Sequence, residues 1–171
     1  KGLDLVKEDL DHLLQNTNMQ FIILGSGEWE YEQFFQQMQK KYPGRVCACH
    51  GFVPELSHKI YAGADMFLMP SKSEPCGLSQ MIALRYGTIP IVRETGGLKD
   101  SIQDSGDGKG NGFTFHDYDS GDMDNAVHRA LSGYSDQDGW KVLVQRAMNC
   151  DMSWGKSANE YIRLYRNMMK E

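Results

Sequence analysis

Two rhythms of apolar residues alternate along the chain. Leu3, Val6, Leu10, Leu13 and Leu14 are spaced for one face of a helix that begins almost at residue 1. Residues 20–24 then form a short apolar run, the pattern of a buried strand. That run ends in Gly25-Ser26-Gly27, and a second helical pattern follows that turns Phe34, Phe35 and Met38 inward. The alternation continues with a strand over 46–50, a helix from Pro54 to about Ala62, a strand over 65–69 and an apolar helix opening at Leu78. A strand over 88–92, a short helix near Leu98 and a last strand over 113–115 complete the series. Helical spacing returns over 122–131, 140–148 and 153–169, with Ser153 placed to cap the last of these. Residues 104–112, DSGDGKGNG, are polar and glycine-rich and are expected to form a mobile loop.

Five strands separated by helices predict an α/β fold with a Rossmann-like, doubly wound parallel sheet. In such a protein the helix at residue 1 should follow a strand. The pattern therefore predicts that the first strand is missing and that the chain is a fragment of a longer protein. With no linker or repeat in view, residues 1–171 are expected to be one domain with a closing helix over 153–171. Trp154, Tyr161, Ile162, Tyr165 and Met168 share one face of that helix. Core packing is the simplest expectation for this stripe, with docking on a neighbouring domain as the alternative.

Composition narrows the partners. The 171 residues carry 18 Lys+Arg against 23 Asp+Glu, a net charge of −5 without a basic run, which argues against nucleic acid. No apolar run has the length of a membrane span and no signal-like segment opens the chain, so no membrane partner and a cytoplasmic setting are expected. Cys47, Cys49, Cys76 and Cys150 lack the spacing of a disulfide scaffold. Cys47, Cys49 and His50 offer at most three metal ligands, and buried small side chains are the favoured reading. Asp117-Tyr118-Asp119 imitates a metal-binding Asp-x-Asp, but acidic residues ahead of a helix are expected to cap it.

The chemistry concentrates in residues 70–87, PSKSEPCGLSQMIALRYG. A strand breaks at Pro70 into a polar loop, and a helix starts just after Gly77. Free amides at a helix start carry partial positive charge and suit a phosphate, and Gly77 lets a ligand approach the backbone. One terminus contributes about 0.3–1 kcal/mol towards an exposed anion, so other groups must converge. Glu74 would repel a phosphate and is read as a residue for sugar hydroxyls or catalysis. The loops holding Gly25, Phe52, Glu74 and Thr95 fall at the carboxyl ends of the strands, where doubly wound sheets bind ligands. Phe52 could stack on a nucleobase or be buried as an ordinary loop aromatic. Gly-x-Gly at 25–27 lacks the third glycine and ribose-binding acid of a dinucleotide-dependent oxidoreductase.

EPCGLSQMIALRYGTIPIVRETGGLKDSI, over 74–102, closely resembles a segment shared by bacterial glycogen synthases and plant starch synthases. Lys1-Gly2-Leu3-Asp4-Leu5, His58 to Asp65, and Ser153-Trp154 with Tyr161 and Tyr165 extend the resemblance along the chain. The resemblance implies the carboxyl-terminal, nucleotide-sugar-binding half of a two-Rossmann-domain (GT-B) enzyme whose amino-terminal acceptor domain is absent. It implies transfer of glucose from ADP-glucose to the non-reducing end of an α-1,4-glucan primer with retention, and no cofactor or metal. UDP-glucose as donor is the alternative, and the fragment is expected to bind ADP or ADP-glucose without turnover. Lys1 resembles the family lysine on the donor phosphates, although the family's arginine five positions earlier is absent here. Glu74 resembles the essential glutamate, Cys76, Gly77, Leu78 and Ser79 the helix start over the phosphates, and Phe52 an adenine neighbour. Thr95, Gly96 and Gly97 resemble the second glycine turn. Many related two-Rossmann transferases have a second Glu eight positions after the first; Ile82 stands there, favouring the glycogen synthase branch.

Overall fold

Each short apolar run forms a strand and each amphipathic run a helix in the computed structural model, which describes residues 1–169. The order is α1 (Leu3–Asn16), β1 (Phe21–Gly25), α2 (Trp29–Lys41), β2 (Val46–His50), α3 (Pro54–Gly63), β3 (Met66–Met69), α4 (Ser79–Tyr86) and β4 (Ile89–Arg93). It continues with α5 (Gly96–Ser101), β5 (Phe113–Phe115), α6 (Ser120–Ser135), α7 (Gln137–Met148) and α8 (Trp154–Met168). All pairing among these strands is parallel, as an alternating strand and helix chain requires.

The sheet is built in two pieces. β1 pairs with β2, Phe21 opposite Val46 through Gly25 opposite His50, while β3, β4 and β5 form a separate three-stranded sheet. The facing residues of β1 and β3 line one cavity of about 1320 Å³, together with Val6, Leu10 and Leu13 of α1. A doubly wound sheet of six has its first strand in the middle, flanked by the second and the fourth. The order β2-β1, slot, β3-β4-β5 is that arrangement with the middle position open.

α1 spans the division. It packs on α2 beside the two-stranded sheet and on α6 beside the three-stranded one. Its buried stripe is Leu5, Val6, Leu10, Leu13 and Leu14, each contributing about 1.5–3 kcal/mol when fully removed from water. The remaining core gathers Ile89, Ile91 and Val92 of β4, Phe113 and Phe115 of β5, and Met123, Val127 and Trp140 from the helices behind them. β4 is buried throughout except Arg93, the apolar run of a central parallel strand.

Three expectations are corrected. The aromatic face of α8 is not part of the core: Trp154, Tyr161, Tyr165 and Met168 are all exposed and the helix has no buried residue. Cys47 is exposed and Cys49 half-buried, because β2 is an outer strand and α3 beyond it buries none of its residues. The 104–112 loop is folded rather than loose. Asp104 accepts from the amides of Gly106 and Thr114, at 2.9 and 2.8 Å, and pairs with Arg129 at 2.8 Å. Buried Asn111 accepts from the Gln103 amide at 2.8 Å and donates to the Ser101 carbonyl at 3.0 Å.

Burial pushes the Asp104 carboxyl up, but Arg129 and the two amides outweigh it and hold the group below the ordinary carboxylate range. A depressed folded-state pKa contributes stability above the unfolded value, about 3.9, and loses it as pH falls through the folded value. Asp104→Asn is therefore expected to lower the unfolding midpoint at pH 7 and to flatten its decline below about pH 4. Denaturant melts from pH 7 to pH 3 check this.

Candidate functional site

The site is assembled from the loops that follow β3 and β4 and from the residues ahead of α1. Glu74 is buried, 8% exposed, although it sits in a polar loop. Its Oε2 receives Lys1 Nζ at 2.5 Å and the Ser71 hydroxyl at 3.3 Å. The Lys1 side chain is 68% exposed. The lysine end of the pair is in water while the carboxylate end is not, so a second anion can approach Lys1 from solvent but Glu74 needs a compensating partner if Lys1 turns away.

Gly2 explains how Lys1 reaches Glu74. It holds φ +80°, and a Cβ there would lie 2.0 Å from the Pro70 carbonyl oxygen. Glycine alone lets the start of α1 press against the loop after β3. The same start is tied down by Tyr118, whose hydroxyl donates to Asp4 at 2.5 Å. Burial, and then the Asp4 carboxylate, push the Tyr118 hydroxyl up to about 12. Lys72 and Arg93 stand over the Tyr118 ring at 5.3 and 5.4 Å, and Arg93 also donates to the Lys72 carbonyl at 2.9 Å. Two cations are thereby gathered beside the loop that carries Glu74.

α4 opens without a side-chain cap, at Leu78, which is itself exposed. Among the described residues, the amides of Gly77, Leu78 and Ser79 donate to no other group. They are therefore available to an anion, with the helix dipole behind them. Gly77 holds φ +74°, and a Cβ there would lie 2.5 Å from Gln80 Oε1. Fully buried Gln80 fastens the turn from beneath, donating to the carbonyls of Cys76 and Gly77 at 3.1 and 3.0 Å and to the Ser101 hydroxyl at 3.1 Å.

Gly96 and Gly97 meet this loop through their backbone. A Cβ on Gly96 would lie 2.2 Å from the Glu74 carbonyl oxygen, and one on Gly97 would lie 2.0 Å from that of Cys76. The Gly97 amide also donates to the Glu74 carbonyl at 3.0 Å. The second glycine turn thus buttresses the first, a packing role that spacing along the chain did not reveal.

The structure brings Lys1, Glu74, Cys76, Gly77, Leu78, Ser79, Thr95 and Gly96 into one neighbourhood, with Thr95 leading into α5. Gly25 lines the slot along with Lys1, Ser71 and Ser79. The Gly51 amide donates to the Gly25 carbonyl at 2.9 Å, which places the Phe52 loop beside it. Phe52 itself is 89% exposed, so the buried-aromatic expectation does not hold. Gln80, Ser71 and Gly2 were missed as site residues. A glutamine three positions after a glycine at an apolar helix start was the available signal for Gln80. Asp119 caps α6, accepting from the amides of Gly121 and Asp122 at 2.9 and 3.2 Å, as expected for Asp117-Tyr118-Asp119. Among the described residues no helix is long and apolar enough to cross a membrane.

The sequence profile described as "Glycosyl transferases group 1" matches residues 1–142. A glycogen synthase of Geobacillus thermodenitrificans is 53% identical over 173 residues, and one of Bacillus subtilis is 50% identical over 172. These alignments cover 100% and 99% of the chain, and the chain spans 36% of the length of either relative. Among solved structures, the catalytic domain of starch synthase IV from Arabidopsis thaliana, bound to ADP and acarbose, matches with TM-score 0.85 at 36% identity. That match covers 100% of this chain and 36% of the other. A sucrose-phosphate synthase from Thermosynechococcus elongatus matches in fold, with TM-score 0.69 at 21% identity, over 99% of this chain and 43% of the other.

Proposed function

Because the chain belongs to the glycosyl transferases group 1 family, we propose that it is the donor-binding half of a glycogen or starch synthase, a hexosyltransferase that moves glucose from ADP-glucose to the non-reducing end of an α-1,4-glucan. The supporting observation is the buried Glu74 carboxylate, held by Lys1 and Ser71, in the loop that leads to the unengaged amides of Gly77 to Ser79. The amides and Lys1 take the diphosphate, Glu74 faces the hexose, and exposed Phe52 stacks on the adenine. Cys76, Gly77, Leu78 and Ser79 form the phosphate wall, with Gly25, Thr95 and Gly96 bordering it.

In the transfer, the bond from the glucosyl anomeric carbon to the β-phosphate oxygen breaks and a bond from the same carbon to the acceptor hydroxyl oxygen forms. The acceptor proton passes to the departing phosphate oxygen on the same face, which retains configuration without a side-chain nucleophile. Lys1 leaves Glu74 for the growing negative charge on the diphosphate, and the freed Glu74 carboxylate stabilises the positive charge developing on the sugar. No metal or cofactor takes part in this step. The remaining length of the relatives corresponds to the acceptor domain, which supplies the glucan primer and the other wall of the cleft. The exposed aromatic face of α8 suits contact with that domain, and the enzyme works in the cytoplasm.

This chain alone therefore binds nucleotide without turnover. Calorimetric titration with ADP, UDP and NAD tests the proposal. ADP is expected to bind most tightly, UDP more weakly and NAD not at all. Preference for UDP would change the donor, and preference for NAD would overturn the transferase reading.

A further inference from the structure

On the faces where α1 meets α6, four side chains form a cluster that the transfer chemistry does not use. Asp9 and His12 are three residues apart on α1, and Asp124 and His128 four apart on α6, spacings that put each pair on one side of its helix. His12 Nδ1 lies 3.5 Å from Asp9 Oδ1 and 3.8 Å from Asp124 Oδ1, and His128 Nε2 lies 3.4 Å from the same Asp124 oxygen. Donor atoms of Asp9, His12 and Asp124 all fall within 4.8 Å of one another. Asp9 is only 9% exposed. Its Oδ2, and Oδ1 of Asp124, are enclosed without a hydrogen-bond partner among the described residues.

Two carboxylates brought together with buried, unpartnered oxygens repel each other and lack compensation for lost water, so the arrangement calls for a shared positive charge. Ligands about 2.0–2.1 Å from a tetrahedral metal stand about 3.3–3.4 Å apart, and His12 Nδ1 lies 3.5 and 3.8 Å from the oxygens of Asp9 and Asp124. Imidazole with carboxylate donors selects zinc-like ions over magnesium or calcium. We propose that Asp9, His12 and Asp124 form a site for a divalent ion of the zinc class, which staples α1 to α6, with His128 holding the Asp124 carboxylate beside it. Since α1 also packs on α2, the ion steadies the helix whose first turn lies beside Glu74. The site is structural and separate from the transfer chemistry.

The experiment titrates zinc chloride into the chelator-stripped chain by calorimetry, in a Cys47→Ser/Cys49→Ser background. That background is needed because the two thiols lie 3.6 Å apart and offer competing ligands. One ion per chain, a raised melting temperature and tetrahedral cobalt visible bands are expected. His12→Gln and His128→Gln, both at exposed side chains that leave the fold intact, are each expected to weaken binding about tenfold or more. Absence of binding in the thiol-free background, or binding that neither histidine variant changes, overturns the proposal.

Discussion

On the proposed transfer, Glu74→Gln in the full-length protein is expected to lower kcat by about 100-fold or more while leaving KM for the donor nearly unchanged. Glutamine keeps the shape of the side chain and an acceptor for Lys1 and Ser71, which both converge on Oε2. What it loses is the negative charge, and that charge matters most when the sugar is cationic and the diphosphate is leaving. A group that acts in the transition state and little in the ground state changes kcat rather than KM. Steady-state kinetics with ADP-glucose and glycogen check this, with calorimetric ADP binding as a control for folding. Near-normal kcat would remove Glu74 from the chemistry and leave it as an anchor for Lys1.

Gly97→Ala is expected to destabilise the chain by about 1–3 kcal/mol and to abolish measurable ADP binding. The added methyl would sit 2.0 Å from the Cys76 carbonyl oxygen and 2.6 Å from its carbonyl carbon and Cα. All three are backbone atoms of the loop that delivers the free amides, so relief comes only by moving that loop. The displacement also breaks the Gly97 amide's bond to the Glu74 carbonyl. Urea unfolding and ADP titration of the same variant read the two effects. Gly108→Ala is a useful comparison, since a Cβ there meets nothing within 4 Å and its effect comes only from φ +74°. If Gly97→Ala melts and binds like its parent, the two glycine turns do not support each other.

The order of elements was legible because it rests on local periodicity. The leucines of α1, the apolar runs of β1 to β5 and proline at the start of α3 each state their own structure. The turn from β3 into α4 was legible for the same reason: strand, proline, polar loop, glycine and apolar helix are consecutive. Facts that depend on distant partners were not. Alternation puts Cys47 and Cys49 on the same side of β2 but does not say whether anything covers that side. The 104–112 loop reads as loose until Arg129, far along the chain, reaches Asp104. The helical pattern of α8 was read correctly, whereas its expected burial required a surface that the described residues do not provide. The two glycine turns looked like parallel ligand contacts, and only their approach in space shows that one braces the other.

The slot between β1 and β3 also bears on how the isolated chain behaves in water. Among the described residues, amide and carbonyl groups on the slot side of each bordering strand have no strand partners, and the apolar side chains of Ile23 and Phe67 flank them. Unshielded edges of this sort accept any extended polypeptide of suitable hydrophobicity. The two slot-side edges, like the outer edges of β2 and β5, are therefore places where a further extended segment can add to the sheet by backbone hydrogen bonds.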